Sequence, residues 1–365
     1  METKLFLDNW INRKINVDAN AHDVARADID EYTARKLGET LGYACENSSF
    51  YREKYTDRSA LPQEADGIEL FLDAFEKLPF TTSEELKTCA MEMLCVRPGD
   101  ISRIVTLDTG GSTGLPKRIY FTEEDQQLTV DFFENGMQLM ADADDKVLIL
   151  MPAKVPGSIG KLLAEGLENF GAKAVCYGLP AMNPAGEKKD NEAEVEQLLE
   201  LIECEGITGV VALPTHMAML AELADGQRLR WVLLSAEYVP EEQVKLIGKA
   251  FDCKVYEHYG MTEMGLGCAV SCGHGEGYHV RENDLYLEII DPKTGRRVED
   301  GEVGEIVFTT LTRRGMPFIR YRTGDYSRWI TDKCECGSIL KRLDKVGPRD
   351  AVKGYLKRPT GSDER

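Results

Sequence analysis

From residue 103 to residue 258 short β-type runs alternate with single helices, and few folds satisfy that rhythm. The runs are VLILM (147–151), KAVCY (173–177), GVVAL (209–213), WVLLS (231–235) and KVYEH (254–258). Helical spacing falls between them, near 158–169, 191–204, 215–224 and 241–251. Strands separated by single helices imply right-handed βαβ units and a mostly parallel sheet covered on both faces. The fold class expected is therefore α/β.

The flanks read differently. Residues 20–48 carry apolar or small residues at helical spacing (Val24, Ala27, Ile29, Tyr32, Leu37, Leu41), and Thr82 with Glu85 fits a capping box opening a further helix. After Gly265 the helices stop. Leu285–Ile290, Glu305–Thr310 and Ile319–Arg322 are strand-like, and DPKTG (291–295) has the Pro and Gly of a hairpin turn. The expected division is a helical layer over 1–100, an α/β core over 101–265, a β-rich subdomain over 266–350 and a polar tail over 351–365.

Composition narrows the function classes. The chain has 365 residues with 44 basic and 63 acidic side chains, a net charge of −19. That field repels nucleic acid and anionic membranes, and no basic cluster offsets it. No apolar run reaches the length of a membrane span. The first residues lack the apolar core of an export signal, so the cytoplasm is the expected compartment. Ten cysteines are then expected as reduced thiols, with any close group a candidate metal site.

One loop is built for an anion. Thr109, Gly110, Gly111, Ser112, Thr113 and Gly114 precede Leu115, Pro116 and Lys117. Glycines let backbone amides face a phosphate, hydroxyls add donors, and lysine adds a mobile charge. Alone, the stretch could equally be a surface turn. It is not a Walker A loop, because Leu115 and Pro116 intervene and a β-run follows.

The loop TGGSTGLPK resembles the phosphate loop of the adenylate-forming superfamily of acyl-CoA synthetases, luciferases and peptide-synthetase adenylation domains. Three further motifs follow in that family's order: Glu257-His258-Tyr259-Gly260-Met261-Thr262-Glu263, Tyr321-Arg322-Thr323-Gly324-Asp325, and a basic element ending in Arg349. IRYRTGD and a cysteine-bearing insert are most similar to the phenylacetate–CoA ligase branch. The resemblance implies the large N-terminal domain of an adenylate-forming enzyme, which joins a carboxylic acid to the AMP part of ATP and releases pyrophosphate. It implies that 109–117 holds the phosphates, and that Tyr259 with Ser235-Ala236-Glu237 flanks the adenine. Thr262 would contact phosphate, Glu263 would hold magnesium, Asp325 would accept both ribose hydroxyls, and Arg349 would reach the ribose.

Elementary chemistry suits these roles. Attack of a carboxylate on the α-phosphate brings two anions together, so it needs cations and fixed dipoles more than a general base. Magnesium is a hard ion satisfied by phosphate oxygens, water and one carboxylate. Singly, Glu263, Tyr259 and Asp325 are also what a helix start, a core and a turn contain.

Cys272, His279, Cys334 and Cys336 form a second constellation. Three thiolates and one imidazole suit tetrahedral structural zinc with no open position. Cys268 and His274 are alternative ligands in the same glycine-rich segment, and unliganded buried thiols are the plain alternative. Some relatives in the resembling branch carry a matching Cys and His with a Cys-x-Cys pair.

Members of the family continue into a small lid domain with a catalytic lysine. Here the chain ends at Arg365, and Pro348-Arg349-Asp350-Ala351-Val352 stands where relatives read Gly-Arg-x-Asp-Asp. The expectation is a protein acting without its own lid, with coenzyme A or a partner protein as acceptor and a separate lid subunit or a homodimer left open. A nucleotide-binding scaffold subunit is the competing function. The acid pocket is expected between 151–163, the Ser235–Glu237 turn and 259–267, with Met151, Val155, Met261, Met264 and Leu266 as candidate walls.

Overall fold

The computed structural model describes residues 6–15, 24–57, 62, 67–107, 115–183, 188–350 and 352. Helices α1 (Phe6–Ile15), α2 (Arg26–Asn47), α3 (Ser49–Lys54), α4 (Ile68–Phe75) and α5 (Ser83–Cys89) come first. The expected capping box opens α5. Thr82 Oγ1 accepts from the Glu85 amide at 3.3 Å, and a Glu85 carboxylate oxygen accepts from the Thr82 amide at 2.9 Å. Strands β1 (Arg103–Leu107) and β2 (Lys117–Phe121) pair antiparallel, with Leu107 opposite Lys117. The loop Thr109–Gly114, expected to hold phosphate, lies outside the described residues.

The alternation then runs as the spacing predicts: α6 (Glu123–Met137), β3 (Lys146–Ile149), α7 (Ile159–Asn169), β4 (Lys173–Cys176), α8 (Lys188–Cys204), β5 (Gly209–Ala212), α9 (Pro214–Leu223), β6 (Trp231–Leu234), α10 (Glu241–Phe251) and β7 (Lys254–Tyr259). These strands are parallel in the order β4-β3-β5-β6-β7. Val147 and Ile149 pack into one buried cluster with α6 and α7. Leu148 and Leu150 pack into another with α8, α9 and α10. Alternate side chains thus feed two cores, which is why both faces had to be apolar.

The β-rich stretch after 265 divides between two sheets. Strands β8 (Ala269–Val270) and β9 (Tyr278–Val280) continue the parallel sheet in antiparallel sense beyond β7. Next come β10 (Leu285–Ile290), β11 (Gly304–Thr310) and β12 (Tyr321–Ser327), a separate three-stranded antiparallel sheet. Finally β13 (Trp329–Ile330) and β14 (Arg342–Leu343) return to β9, giving nine strands in the large sheet. The DPKTG turn forms as expected, with the Gly295 amide donating to the Asp291 carbonyl at 2.8 Å.

One strand start differs from the sequence pattern. Ile319 and Arg320 precede β12 rather than opening it. Arg320 has a left-handed φ of 48°, which breaks extended geometry and turns its side chain inward. There its guanidinium meets Glu288 at 2.6 Å, both side chains being almost wholly buried. It also donates to the Leu78 carbonyl, tying α4's end to the three-stranded sheet. Burial lifts the Glu288 carboxyl above its ordinary value while Arg320 opposes that shift. Removing one partner strands the other charge. Glu288→Leu is therefore expected to cost about 3–5 kcal/mol of stability, read by urea unfolding; a loss below 1 kcal/mol would contradict this.

Candidate active site and metal centre

Open α/β sheets bind ligands beyond the carboxyl ends of their strands, and β7 ends in an unusually tight turn. Tyr259 closes the strand, and Thr262–Met264 makes a single 3₁₀ turn. Gly265 and Leu266 follow with φ of 75° and 67°. The chain doubles back so closely that a Cβ on Gly260 would sit 2.6 Å from the Leu266 carbonyl oxygen. Only glycine fits there.

That turn delivers Glu263 to a junction of all three sheets. Its carboxylate is 1% exposed and accepts from Lys117 Nζ of β2 at 2.9 Å. It also accepts from the Tyr321 hydroxyl of β12 at 3.1 Å, and Lys117 lies 3.3 Å from that hydroxyl. Burial and the neighbouring Glu263 charge both raise the Tyr321 phenol, so it stays a donor. Thr262 sits beside Glu263 in the same turn.

A second pair lies one step back along the chain. The Tyr259 hydroxyl donates to Asp325 at 3.0 Å, joining β7 to β12. Burial raises Asp325, and the Tyr259 bond works against that shift. The Asp325 amide is held by Thr323 Oγ1 at 3.0 Å. Arg349 stands over the ring of Tyr326, the residue after Asp325, at 5.9 Å. Glu257 accepts from the Tyr278 hydroxyl at 2.7 Å and pairs with Lys345. In the turn after β6, Ala236 has φ 71° and Glu237 accepts from Thr215 Oγ1 at 2.8 Å. A non-glycine residue at positive φ costs free energy, of the kind found at ligand clamps.

His258 goes the other way. It alternates with Tyr259 across β7, bonds Ser235 through Nδ1 at 2.8 Å and packs against Phe132 and Phe133.

At the opposite end of β8, Cys272, His279, Cys334 and Cys336 converge. Their ligand atoms all lie within 4.8 Å of one another, and all four residues are buried. Cys272 Sγ is 3.5 Å from Cys334 Sγ, and Cys336 Sγ is 3.3 Å from His279 Nε2. Sulfurs on one tetrahedral zinc stand about 3.7 Å apart, so the spacing suits that ion. Of the alternative ligands, Cys268 is buried among apolar side chains elsewhere, and neither it nor His274 joins the group.

The sequence pattern of the AMP-binding enzyme family matches residues 104–311, more than half of the chain. The chain belongs to the AMP-binding enzyme family. It is also 26% identical to the phenylacetate-coenzyme A ligase of Pseudomonas putida over 94% of its own length and 79% of that protein's. The Escherichia coli K12 phenylacetate-coenzyme A ligase is likewise 26% identical, over 89% of this chain and 73% of the relative. In fold it is similar to a 2-hydroxyisobutyryl-CoA ligase, with a TM-score of 0.75 at 24% identity over 88% of this chain and 68% of the other. The chain is thus an adenylate-forming ligase similar to phenylacetate–CoA ligases.

Two features of this AMP-binding enzyme escaped its sequence. Arg313 is buried, donating to the carbonyl of Glu263 at 2.9 Å and of Tyr120 at 2.8 Å, with its guanidinium 4.2 Å from the Phe121 ring centre. Burial pulls its pKa down to about 10, so it remains a cation at neutral pH beside the Glu263 turn. Arginine in LTRRG reads as a surface charge, and only the fold reveals its burial. The other is a cavity that the expected segments 151–163 and 235–237 share with α6. Met151 lines this narrow apolar cavity with Phe132, Phe133 and His258. Met264 packs with Ile119 and Phe308 instead, and Val155 is 45% exposed. Among the described residues no helix is long and apolar enough to cross a membrane.

Proposed function

We propose that the site at the end of β7 activates a small carboxylic acid with ATP as an acyl-adenylate. One acid oxygen bonds to the α-phosphorus, the bond from that phosphorus to the bridging oxygen breaks, and pyrophosphate leaves with the electron pair. No proton need be removed from an ionised acid. The observation that carries the proposal is the Lys117–Glu263 pair standing beside the Tyr259–Asp325 pair, which gathers an ammonium, a phenol and two carboxylates at one strand end.

Each role follows from chemistry. Lys117 is a compact ammonium on the strand leaving the loop 109–114, suited to a phosphate oxygen. Glu263 would hold magnesium, an oxygen-seeking ion that spreads the charge of the phosphates. Asp325 is acceptor-only when ionised and suits two ribose hydroxyls, with Arg349 near by. Tyr259 and the Ser235–Glu237 turn would flank the base. Thr262 adds a hydroxyl donor to phosphate, and the loop Thr109–Gly114 adds backbone amides. Coenzyme A as acyl acceptor is supported by the activity in the relatives' names. Zinc at Cys272, His279, Cys334 and Cys336 would clamp β8, β9 and the segment joining β13 to β14.

The test is acid-dependent exchange of labelled pyrophosphate into ATP across aryl and short aliphatic acids. Exchange should be present in the unaltered chain and fall at least ~100-fold in Glu263→Gln, comparable to loss of a single electrostatic contact in other active sites. ATP binding without exchange for any acid would instead indicate a nucleotide-binding subunit. For the metal, elemental analysis should find one zinc per chain. Joint replacement Cys334→Ser and Cys336→Ser should abolish it and lower the melting temperature; an unchanged melt in metal-free protein would refute the clamp.

A further inference from the structure

The apolar cavity beside the Ser235–Glu237 turn has one polar corner. It lies among α6, α7 and the carboxyl halves of β5, β6 and β7, and Phe132, Phe133, Met151 and Leu163 contribute to its wall. Among the described residues lining it, only Ser235 and His258 carry hydrogen-bonding side-chain atoms. Ser235 Oγ engages His258 Nδ1 at 2.8 Å, whereas His258 Nε2 is buried with no hydrogen-bond partner. His258 as a whole is only 9% exposed. Leaving a buried polar atom unpaired costs about 1–3 kcal/mol, so an unpaired atom on a side chain that lines a cavity points to a ligand group that would satisfy it.

The free space is about 20 Å³, little more than one water-sized group needs. That is the whole cavity's room, so only one hydroxyl or amine would enter it and the body of the acid would lie outside. Charge is disfavoured too. Burial, and then Arg281, push His258 down to about 4, so the imidazole is neutral at pH 7. A carboxylate placed there would find no cation among the lining side chains, Arg281 being paired with Asp284 at 2.7 Å, and would be desolvated by aromatic rings. Because His258 and Tyr259 are adjacent on β7 but face opposite ways, a ligand spanning the strand end can meet both.

Resting on the acid activation proposed above, we infer that the acid bears one small neutral hydrogen-bonding substituent, read by His258 and Ser235. These two are specificity residues rather than catalytic ones. His258 Nε2 donates to the substituent when Ser235 donates to Nδ1, and accepts from it when Nδ1–H donates to Ser235. A site built to bond such a group rejects the analogue lacking it far more strongly than an apolar slot rejects an extra methylene.

The test uses the full chain, with Mg·ATP and matched acids. Benzoate, phenylacetate and isobutyrate are compared with each of their positional monohydroxy analogues and with a dicarboxylate of each size. The readout is the ratio of kcat/KM in pyrophosphate exchange between each hydroxy acid and its parent, which incomplete folding of a variant cannot move. At least one hydroxy acid should exceed its parent by about 10–100-fold, and the dicarboxylates should be the poorest. His258→Leu and, more mildly, Ser235→Ala should bring that ratio toward one. Exchange with no hydroxyl preference, or a preference unmoved in both variants, overturns the inference and leaves acid activation standing. A structure with substrate bound in which an ordered water satisfies Nε2 also overturns it. No exchange with any acid overturns the parent proposal and this one together.

Discussion

A single buried contact, Lys117 with Glu263 and the Tyr321 hydroxyl, holds three sheets in one place. Lys117 opens a strand of the two-stranded sheet, Glu263 follows the last parallel strand of the large sheet, and Tyr321 opens a strand of the third. A buried ion pair is a poor source of stability, because desolvation offsets much of its Coulombic gain. It specifies geometry instead. At this junction a lysine, a carboxylate and a phenol are fixed where a charged ligand with its counter-ion would need them.

The surroundings support that geometry through backbone rather than through more charge. Arg313 grips the carbonyls of Glu263 and Tyr120, so the carboxylate's turn and the strand carrying Lys117 move together. Asp125, at the start of α6, accepts from the amides of Arg314 and Gly315 at 2.9 and 3.0 Å and so holds the segment bearing Arg313. Preorganised dipoles of this kind are what electrostatic catalysis requires, since they do not have to reorient as charge moves.

Much of this was legible in the sequence, for identifiable reasons. The βαβ alternation was visible because strands buried on both faces and helices at 3.6 spacing leave separate periodicities. The capping box at Thr82 and Glu85 was visible because it is a local interaction. The four metal-suited residues were visible by donor type although 62 positions separate Cys272 from Cys334. Non-local facts were hidden. Nothing in LTRRG distinguishes the buried Arg313 from exposed neighbours, and nothing in IRYR announces the left-handed Arg320 that delays β12. The division of the late strands between two sheets depends on pairing partners far away in the chain. Likewise Phe132 and Phe133 belong to a helix whose facing strand, β7, lies more than a hundred residues on, so the cavity wall could not be read locally.

The most direct measurement is a crystal structure with magnesium and a hydrolysis-resistant acyl-adenylate mimic. The ribose hydroxyls are predicted on Asp325, the base between Tyr259 and the Ser235–Glu237 turn, and the phosphate beside Lys117 and Thr262. The mimic bound away from the end of β7, with Lys117, Glu263, Tyr259 and Asp325 keeping only one another for partners, would contradict the account.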